Sequence, residues 1–252
     1  MEWLALARLC RQVTQSENFN IAQSAYRQNH STETALMNIL NDAYSNIDKG
    51  QSTLMVAVDL SSAFHTVEHS VLLTRLENSF GMTGVAREWI ASYLADLKQF
   101  VRVGSEACAA TSCSCGVLQA SVLCPLLFVA YICPVVSVAT QFGVSLHQYA
   151  DDTQLYIALS KSDMNTSVDK LQNCLSTVHL WFSQNGLVIN PEKSEAVLLS
   201  TSQQARASTS LLTGVNVAGC MCHLQTPSKF ISRVFVFSII YMECISHFWH
   251  LY

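Results

Sequence analysis

Two adjacent carboxylates, Asp151 and Asp152, interrupt the apolar stretch HQYADDTQLYIAL in a chain with only 13% charged residues. The runs on either side, Val144–Tyr149 and Thr153–Leu159, have the composition that favours strands. Because Asp is common in tight turns, the pattern predicts a β-hairpin with both carboxylates at its tip. Two like charges held this close either lie in a solvated turn or belong to a site that neutralises them.

A third carboxylate, Asp59, ends the apolar run TLMVAVD, which is typical of a strand covered on at least one face. Neighbouring strands lie only about 4.8 Å apart, so strand-end carboxylates of one sheet converge. Oxygen ligands of this kind suit hard divalent ions, Mg²⁺ above all, with water and substrate phosphates completing the shell. Two such ions about 3.5–4 Å apart activate an attacking hydroxyl and steady a departing pyrophosphate.

Length and composition place the chain among folded proteins, because 252 residues with 50% apolar content bury a sizeable core. The formal charge of −4 counts against nucleic-acid binding, which usually needs a basic surface or stripe. The start, MEWLALARLCRQ, lacks the pattern of a secretory signal. We therefore expect reduced cysteines, whose spacing fits no common zinc site, in an intracellular protein, nuclear or cytoplasmic and not secreted.

The span Gly116–Ala150 contains no Asp, Glu, Lys or Arg and is long enough to resemble a membrane helix. Pro125 and Pro134 interrupt it, and no cluster of basic residues flanks it. These features favour a buried core helix over a membrane span. A membrane-associated helical protein stays an alternative interpretation. We therefore expect no membrane partner, and the sequence indicates no obligate protein partner.

Periodicity divides the rest of the chain into helices and strands. Helical spacing predicts helices over Thr32–Ile47, His69–Ser79 and Val85–Leu94, and another that begins after Ser162-Asp163 and ends before Gly186. Strand composition marks QFVRV, up to Gly104, and EAVLLS, residues 195–200. Beyond about Ser202 no sustained period appears. We expect one domain over residues 23–202 and a divergent tail of uncertain structure over 203–252.

Six ordered blocks resemble one known family. The segment YADD between two strands is similar to the central motif of reverse transcriptases, and VAVDLSSAFHTVEHSVLLTRL resembles the first catalytic motif of the non-LTR (LINE-type) retrotransposon branch. Four more blocks follow the order of that family: QSAYRQNHSTETAL, SYLADLKQFVRV, GVLQASVLCPLLFVAYI and WFSQNGLVINPEKSEAVLLST. LALARL is similar to the preceding segment, which makes residues 1–22 a lead-in helix. The resemblance covers residues 4–202 and is far more specific than one short motif.

The resemblance implies an α+β fold: the fingers and palm of a right-hand polymerase, with an antiparallel palm sheet backed by helices. It implies that Asp59, Asp151 and Asp152 hold two Mg²⁺ ions, with Mn²⁺ as a substitute, for RNA-directed DNA synthesis. The partners implied are an RNA template, a DNA primer and dNTPs. Lys193 matches the lysine behind the site, where an ammonium protonates or electrostatically stabilises the pyrophosphate; alone, it also suits an exposed turn.

Four further residues receive roles by resemblance. Phe64 matches the aromatic residue beneath the incoming sugar, where a ring collides with a 2′-OH; alone, it also suits core packing. Arg27 matches a fingers residue that faces the triphosphate, or else a solvated surface arginine. Gln119 matches a contact to the template and the nascent pair, or else a turn residue. Tyr149 packs beneath the primer end or fills the core.

Several positions depart from the family pattern. His65 and Glu68 replace its usual acidic residues near the first motif, while Leu118, Ala120 and Cys124 replace a proline and two glycines around Gln119. Glycine often supplies a positive φ or a close backbone approach, so side chains here narrow the template path. Nothing after Ser202 resembles a thumb. The sequence therefore leaves two hypotheses: a truncated, impaired polymerase, or an inactive remnant that binds nucleic acid or protein.

Overall fold

The computed structural model of the protein describes residues 2–95, 97–118, 121–201 and 212–225. Its backbone divides into two compact units. The first unit contains residues 2–19, the described part of Ser62–Cys133, and Gln184–Leu187. The second unit contains Asn20–Ser61, Pro134–Ser183 and the described residues from Val188 onward. Gln119 and Ala120 lie outside the described residues, as do residue 202 and residues 203–211 and 226–252 of the predicted tail.

A six-stranded sheet forms the second unit, with strand order β6-β7-β1-β8-β10-β9. All its pairings are antiparallel except that of β10 with β8. The strands are β1 (Ser52–Ser61), β6 (Ser145–Tyr149), β7 (Asp152–Leu159), β8 (Val188–Leu199), β9 (Gly214–Val217) and β10 (Cys220–Gln225). Its helices are α2 (Thr32–Asp48), α6 (Val135–Gln141) and α7 (Met164–Gln184), of which Gln184 is assigned to the first unit.

The helix α2 covers one face of the sheet. Ser31 begins it with a capping box, in which its hydroxyl accepts from the Thr34 N–H and the Thr34 hydroxyl accepts from the Ser31 N–H. The apolar face of α2 then packs against β1, β7 and β8 in a cluster of Ile39, Ala43, Met55, Tyr156, Val197 and Leu199. The predicted α+β fold with a mainly antiparallel sheet backed by helices is confirmed.

The first unit is mainly helical, with α1 (Glu2–Thr14), α3 (His69–Phe80), α4 (Gly84–Leu94) and α5 (Cys124–Ile132). A half-buried arginine links three segments of this unit. Arg75 donates to the Tyr131 carbonyl and, at 2.6 Å, to Asn185 Oδ1, and its guanidinium lies 4.8 Å from the centre of the Tyr131 ring. Burial lowers the pKa of Arg75 from its usual value.

The long apolar span folds as two helices rather than one. Pro125 occupies the first turn of α5, where a missing N–H costs nothing, and Pro134 precedes α6. Eight of the nine residues of α5 are buried, which confirms the predicted core helix. Within the described residues, Cys124–Gln141 is long and apolar enough by composition to cross a membrane, and 67% of it is buried inside the structure.

The predicted hairpin and the helices α2, α3, α4 and α7 are confirmed with small shifts at their ends. The lead-in helix predicted over residues 1–22 is shorter than expected, because α1 ends at Thr14. Two strand predictions also need correction. QFVRV is broken into β2 (Lys98–Gln99) and β3 (Arg102–Val103), which pair with β5 (Thr111–Ser112) and β4 (Glu106–Ala107) and are exposed. The apolar residues of this alternating segment have no core to pack against. Conversely, β8 is longer than EAVLLS because its pairing with β1 continues past a bulge. β9 and β10 extend the sheet within 203–252.

Candidate active site

The register of the sheet places two of the predicted carboxylates on adjacent strands. Val58 of β1 pairs with Thr153 of β7, so the next step of the same register sets Asp59 opposite Asp152. Directly opposed residues share a face and lie about 4.5–5.5 Å apart at Cα. Tyr149 is opposite Asp152 on β6, and Asn190 is opposite Asp59 on β8. A row of four half-buried polar side chains therefore crosses the sheet.

The turn that precedes Asp152 has a left-handed backbone. Tyr149 pairs with Asp152, which leaves Ala150 and Asp151 as a two-residue hairpin turn. Ala150 has φ of 56°, as such turns require at their first central position, at a cost of about 1–2 kcal/mol for a residue with a Cβ. The prediction of both carboxylates at the tip is therefore corrected for Asp152, which is the first residue of β7.

Burial and neighbouring like charges strongly raise the pKa of Asp152. Burial, the largest effect, and repulsion from the carboxylates of Asp151 and Asp59 together raise the pKa of this carboxyl to about 7. Burial also raises the pKa of Asp59, while the ammonium of Lys193 partly offsets that rise. The three carboxylates therefore act on one electrostatic site, in which a cation would offset their repulsion.

Among the described residues, no three or more His, Cys, Asp or Glu side chains are arranged to ligate one metal ion. The donor types still suit a hard cation, because Asp59 and Asp152 directly follow and precede the last β1–β7 pair, Val58 with Thr153, and Asp151 adds a third carboxylate. The metal role of these residues stays a prediction.

A wide bulge in β8 brings Lys193 to the site. Between the pairs Ala57 with Glu195 and Asp59 with Asn190, one residue of β1 faces four of β8. Ser194 closes the bulge, because its hydroxyl accepts from the Asp59 N–H at 3.3 Å and donates to the Asn190 carbonyl at 2.8 Å. Lys193 itself is exposed, yet close enough to Asp59 to influence its pKa. Lys193 therefore has an exposed position, and its catalytic role behind the site stays a prediction.

Sequence reasoning missed a network of buried polar side chains beside the two-residue turn Ala150-Asp151, which is called the carboxylate turn below. Asn20 donates to Gln148 Oε1 at 2.8 Å, and Gln148 donates to the Thr153 hydroxyl at 3.1 Å. Gln23 bonds to both polar groups of the Ala150 backbone. All four polar side chains are buried. Two of them, Gln148 and Thr153, fall within the runs of strand composition. Polar residues in such apolar runs were the only sequence feature that could have indicated this network.

Two other predicted site residues lie in the second unit. Arg27 is half-buried, and its Nη1 donates to the carbonyls of Ile21 at 2.9 Å and Gln23 at 3.1 Å. It therefore braces the loop before α2. Tyr149 is half-buried beside Asp152, and burial, with a smaller effect from Glu33, raises the pKa of its phenol.

The remaining predicted residues belong to the first unit. Phe64 is 9% exposed and packs on Phe128 with ring centroids 4.4 Å apart, while its carbonyl accepts from the Val117 N–H at 2.9 Å. Core packing, the plainer alternative, therefore describes its present contacts. Cys124, one of the departures from the family pattern, is buried, and burial raises the pKa of its thiol to about 12. Gln119 lies outside the described residues, so the structure does not place it.

Comparison with known proteins identifies the family. The family model described as "Reverse transcriptase (RNA-dependent DNA polymerase)" matches residues 3–229 of this chain. The chain belongs to the reverse transcriptase family. It thus contains a reverse transcriptase domain, and the matched range continues past residue 202 through β9 and β10.

Relatives from transposable elements narrow the branch. The chain is 30% identical over 179 residues to the "Probable RNA-directed DNA polymerase from transposon BS" of Drosophila melanogaster, covering 68% of this chain and 19% of that protein. It is 26% identical over 163 residues to the "Retrovirus-related Pol polyprotein from type-1 retrotransposable element R2" of Popillia japonica, covering 61% of this chain and 25% of that protein. The resemblance to non-LTR elements is confirmed. This reverse transcriptase domain spans about a fifth to a quarter of these relatives.

Solved structures support the same fold. Telomerase from Candida tropicalis, determined with a TWJ fragment of telomeric RNA, superposes with a TM-score of 0.53 at 15% identity, covering 67% of this chain and 29% of that one. Telomerase from Candida albicans, determined with a corresponding fragment, gives a TM-score of 0.51 at 13% identity, covering 87% and 36%. At this identity the likeness establishes the polymerase fold of the domain.

Proposed function

We propose that this domain is an RNA-directed DNA polymerase that extends a DNA primer on an RNA template with dNTPs. The observation that supports it most directly is the register that sets Asp59 opposite Asp152, with Asp151 in the adjoining turn. Nucleotidyl transfer mainly needs charge neutralisation and alignment, and closely spaced carboxylates supply the means to hold divalent cations. Reverse transcriptases in general depend on divalent metal ions, and this domain belongs to that family.

In this proposal Asp59, Asp151 and Asp152 hold two Mg²⁺ ions, for which Mn²⁺ substitutes. The bound ions supply Lewis-acid activation of the primer hydroxyl and neutralise the pyrophosphate. Lys193 lowers the pKa of Asp59, against the rise caused by burial, and offers a positive charge to the leaving group. Tyr149 supports the primer end, and Arg27, Phe64 and Gln119 contact the nucleotide, with Gln119 also at the template. We assign the protein to the cell interior, nucleus or cytoplasm, where its free cysteines stay reduced.

Primer extension tests the proposal. The purified chain is incubated with an annealed RNA template and DNA primer, dNTPs and Mg²⁺, beside an Asp151→Ala, Asp152→Ala control. We expect Mg²⁺-dependent incorporation by the parent alone, with loss on chelation. Equal incorporation by both proteins contradicts the proposal. A folded parent chain without incorporation supports the alternative of an inactive remnant, which the changed positions Leu118, Ala120 and Cys124 favour.

Replacement of Lys193 by glutamine is expected to lower kcat about 10- to 100-fold with little change in KM. The reason is that the ammonium offsets the raised pKa of Asp59 and neutralises the leaving group. Without it, the pKa of Asp59 rises further, so the acid limb of the pH profile of kcat moves to higher pH. Lys161→Gln, at another exposed lysine, is the matched control and should retain parent kinetics. A parent-like pH profile for Lys193→Gln contradicts the role.

Replacement of Phe64 by valine is expected to raise ribonucleotide incorporation relative to deoxynucleotide incorporation about 10- to 100-fold. A smaller side chain removes the collision with the 2′-OH, while the residue stays apolar in its buried position against Phe128. The measurement is the ratio of kcat/KM for matched rNTP and dNTP pairs. Phe100→Val, at a phenylalanine that is 55% exposed, is the control. An unchanged ratio in folded Phe64→Val leaves Phe64 as a core residue only.

A further inference from the structure

The side chain of Gln23 is fully buried and bonds to the carboxylate turn through both ends of its amide. Its Oε1 accepts from the Ala150 N–H at 3.0 Å and from the Ala25 N–H at 3.0 Å. Its Nε2 donates to the Ala150 carbonyl at 3.2 Å. One glutamine thus satisfies both polar groups of the residue immediately before Asp151.

The backbone around Gln23 holds this amide in place. The Gln148 N–H donates to the Ala22 carbonyl at 2.9 Å, and the Ser24 N–H donates to the Gln148 carbonyl at 2.9 Å. Gln23 and Gln148 thereby form an isolated parallel bridge along the outer edge of β6. The amide is therefore fixed by backbone bonds to the same hairpin whose turn it contacts.

Ala150 is the residue of this hairpin that most needs such support. Its φ of 56° places a residue with a Cβ in the left-handed region, and it is 1% exposed, so water cannot bond its backbone. A buried peptide whose N–H and carbonyl have no partner costs about 1–3 kcal/mol for each group. Without Gln23, the turn would lose both partners and could relax to another conformation.

We propose that Gln23 is a positioning residue that fixes the direction of Asp151 and Asp152 by clamping the Ala150 peptide between them and β6. This role rests on the proposed function, in which those carboxylates hold divalent cations. The alternative is that Gln23 only satisfies buried polar groups of the fold. The two roles make different predictions for loss of the Gln23 amide. A positioning role changes the turn and weakens cation binding, whereas a purely structural role lowers only the global stability.

Amide hydrogen exchange on the metal-free full chain tests the clamp directly. Gln23→Met keeps the approximate shape of the side chain without its amide, and Gln23→Asn keeps an amide that is one methylene too short to reach the turn. We expect either variant to speed exchange of the Ala150 amide at least about fivefold. Ser24→Ala is the matched control, because Ser24 is buried in the same segment and its hydroxyl bonds His147 at 3.1 Å instead of the turn. It should leave Ala150 exchange unchanged.

Mn²⁺ binding, measured by the paramagnetic resonance signal of the free ion, provides the second readout. We expect Gln23→Met to weaken Mn²⁺ binding about tenfold, and Ala150→Gly in the same chain to restore part of that loss. Glycine takes a positive φ without strain, so it lowers the cost of the turn although the clamp is missing. A merely structural role for Gln23 predicts no such recovery.

The outcomes separate this role from the proposed function. Parent-like Ala150 exchange in a folded Gln23 variant, either Met or Asn, overturns the positioning role whatever the activity of the parent chain. Faster exchange with weaker Mn²⁺ binding, both absent from Ser24→Ala, supports it. Failure of the parent chain to extend a primer overturns the proposed function alone, because exchange and Mn²⁺ binding are measured without substrate.

Discussion

Replacement of Asp152 by asparagine is expected to abolish nucleotide incorporation while making the metal-free chain more stable. The amide keeps the size of the side chain but removes a charge that the proposed cations require, so incorporation should fall at least about 1000-fold. The same charge is half-buried and is repelled by Asp151 and Asp59, and burial together with this repulsion raises the pKa of Asp152 to about 7. Removing it relieves a cost on the order of 2–4 kcal/mol at neutral pH.

The pH dependence of stability distinguishes this effect from a change in side-chain packing around position 152. An acid whose folded pKa is raised binds more protons in the folded state, so the parent loses stability as pH rises from about 4 to about 7. Below that window Asp152 is protonated in both states and the cost disappears. Asp152→Asn should therefore be stabilised at pH 7.5 and close to the parent at pH 3.5, as measured by urea unfolding without metal.

A matched control is Asp169→Asn, which changes an exposed carboxylate on α7. It should keep both incorporation and stability near the parent values, because exposed charges contribute little. Added Mg²⁺ should raise the unfolding midpoint of the parent and not that of Asp152→Asn. A variant at position 152 that is destabilised at pH 7.5, or that still incorporates dNTPs, contradicts the interpretation of Asp152 as a strained metal ligand.

Replacement of Phe128 by alanine is expected to cost about 3–5 kcal/mol of the free energy of unfolding. Phe128 has no exposed surface and stacks against Phe64 at 4.4 Å, so its loss leaves a cavity in the core of the first unit. Typical domains are stable by only about 5–15 kcal/mol, which makes this loss a large fraction of the total. Urea unfolding followed by circular dichroism and by tryptophan fluorescence measures it.

Phe100→Ala is the matched control in the same unit, because Phe100 is 55% exposed on the segment between β2 and β3. We expect its effect to stay within about 0.5 kcal/mol. Comparable losses for the two alanine variants would contradict the assignment of Phe128 to the core. Loss of Phe128 should also loosen Phe64, so the rNTP to dNTP ratio of this variant should rise in the direction expected for Phe64→Val.

Much of the secondary structure follows from local pattern. The helices α2, α3, α4 and α7 begin and end close to the predicted residues, because periodic apolar residues, a capping serine at 31 and glycines after helices act over a few residues of chain. The exposed QFVRV segment is the counterexample. Its alternation is real, but a strand needs a partner and a covered face, and the sequence window specifies neither.

By itself, the sequence determined the family, the fold class and which carboxylates are candidates for the metal site. It could do so because ordered motifs and apolar periods are local properties of the chain. Only the tertiary structure decided that Asp59 stands opposite Asp152, that a bulge in β8 carries Lys193 toward them, and that Gln23 holds the turn at Ala150. The buried amide bond of Asn20 with Gln148 joins residues 128 positions apart, and the strand pair of Thr53 with Leu199 spans a still larger separation. Such contacts depend on how elements pack together, and no local window of sequence contains that information.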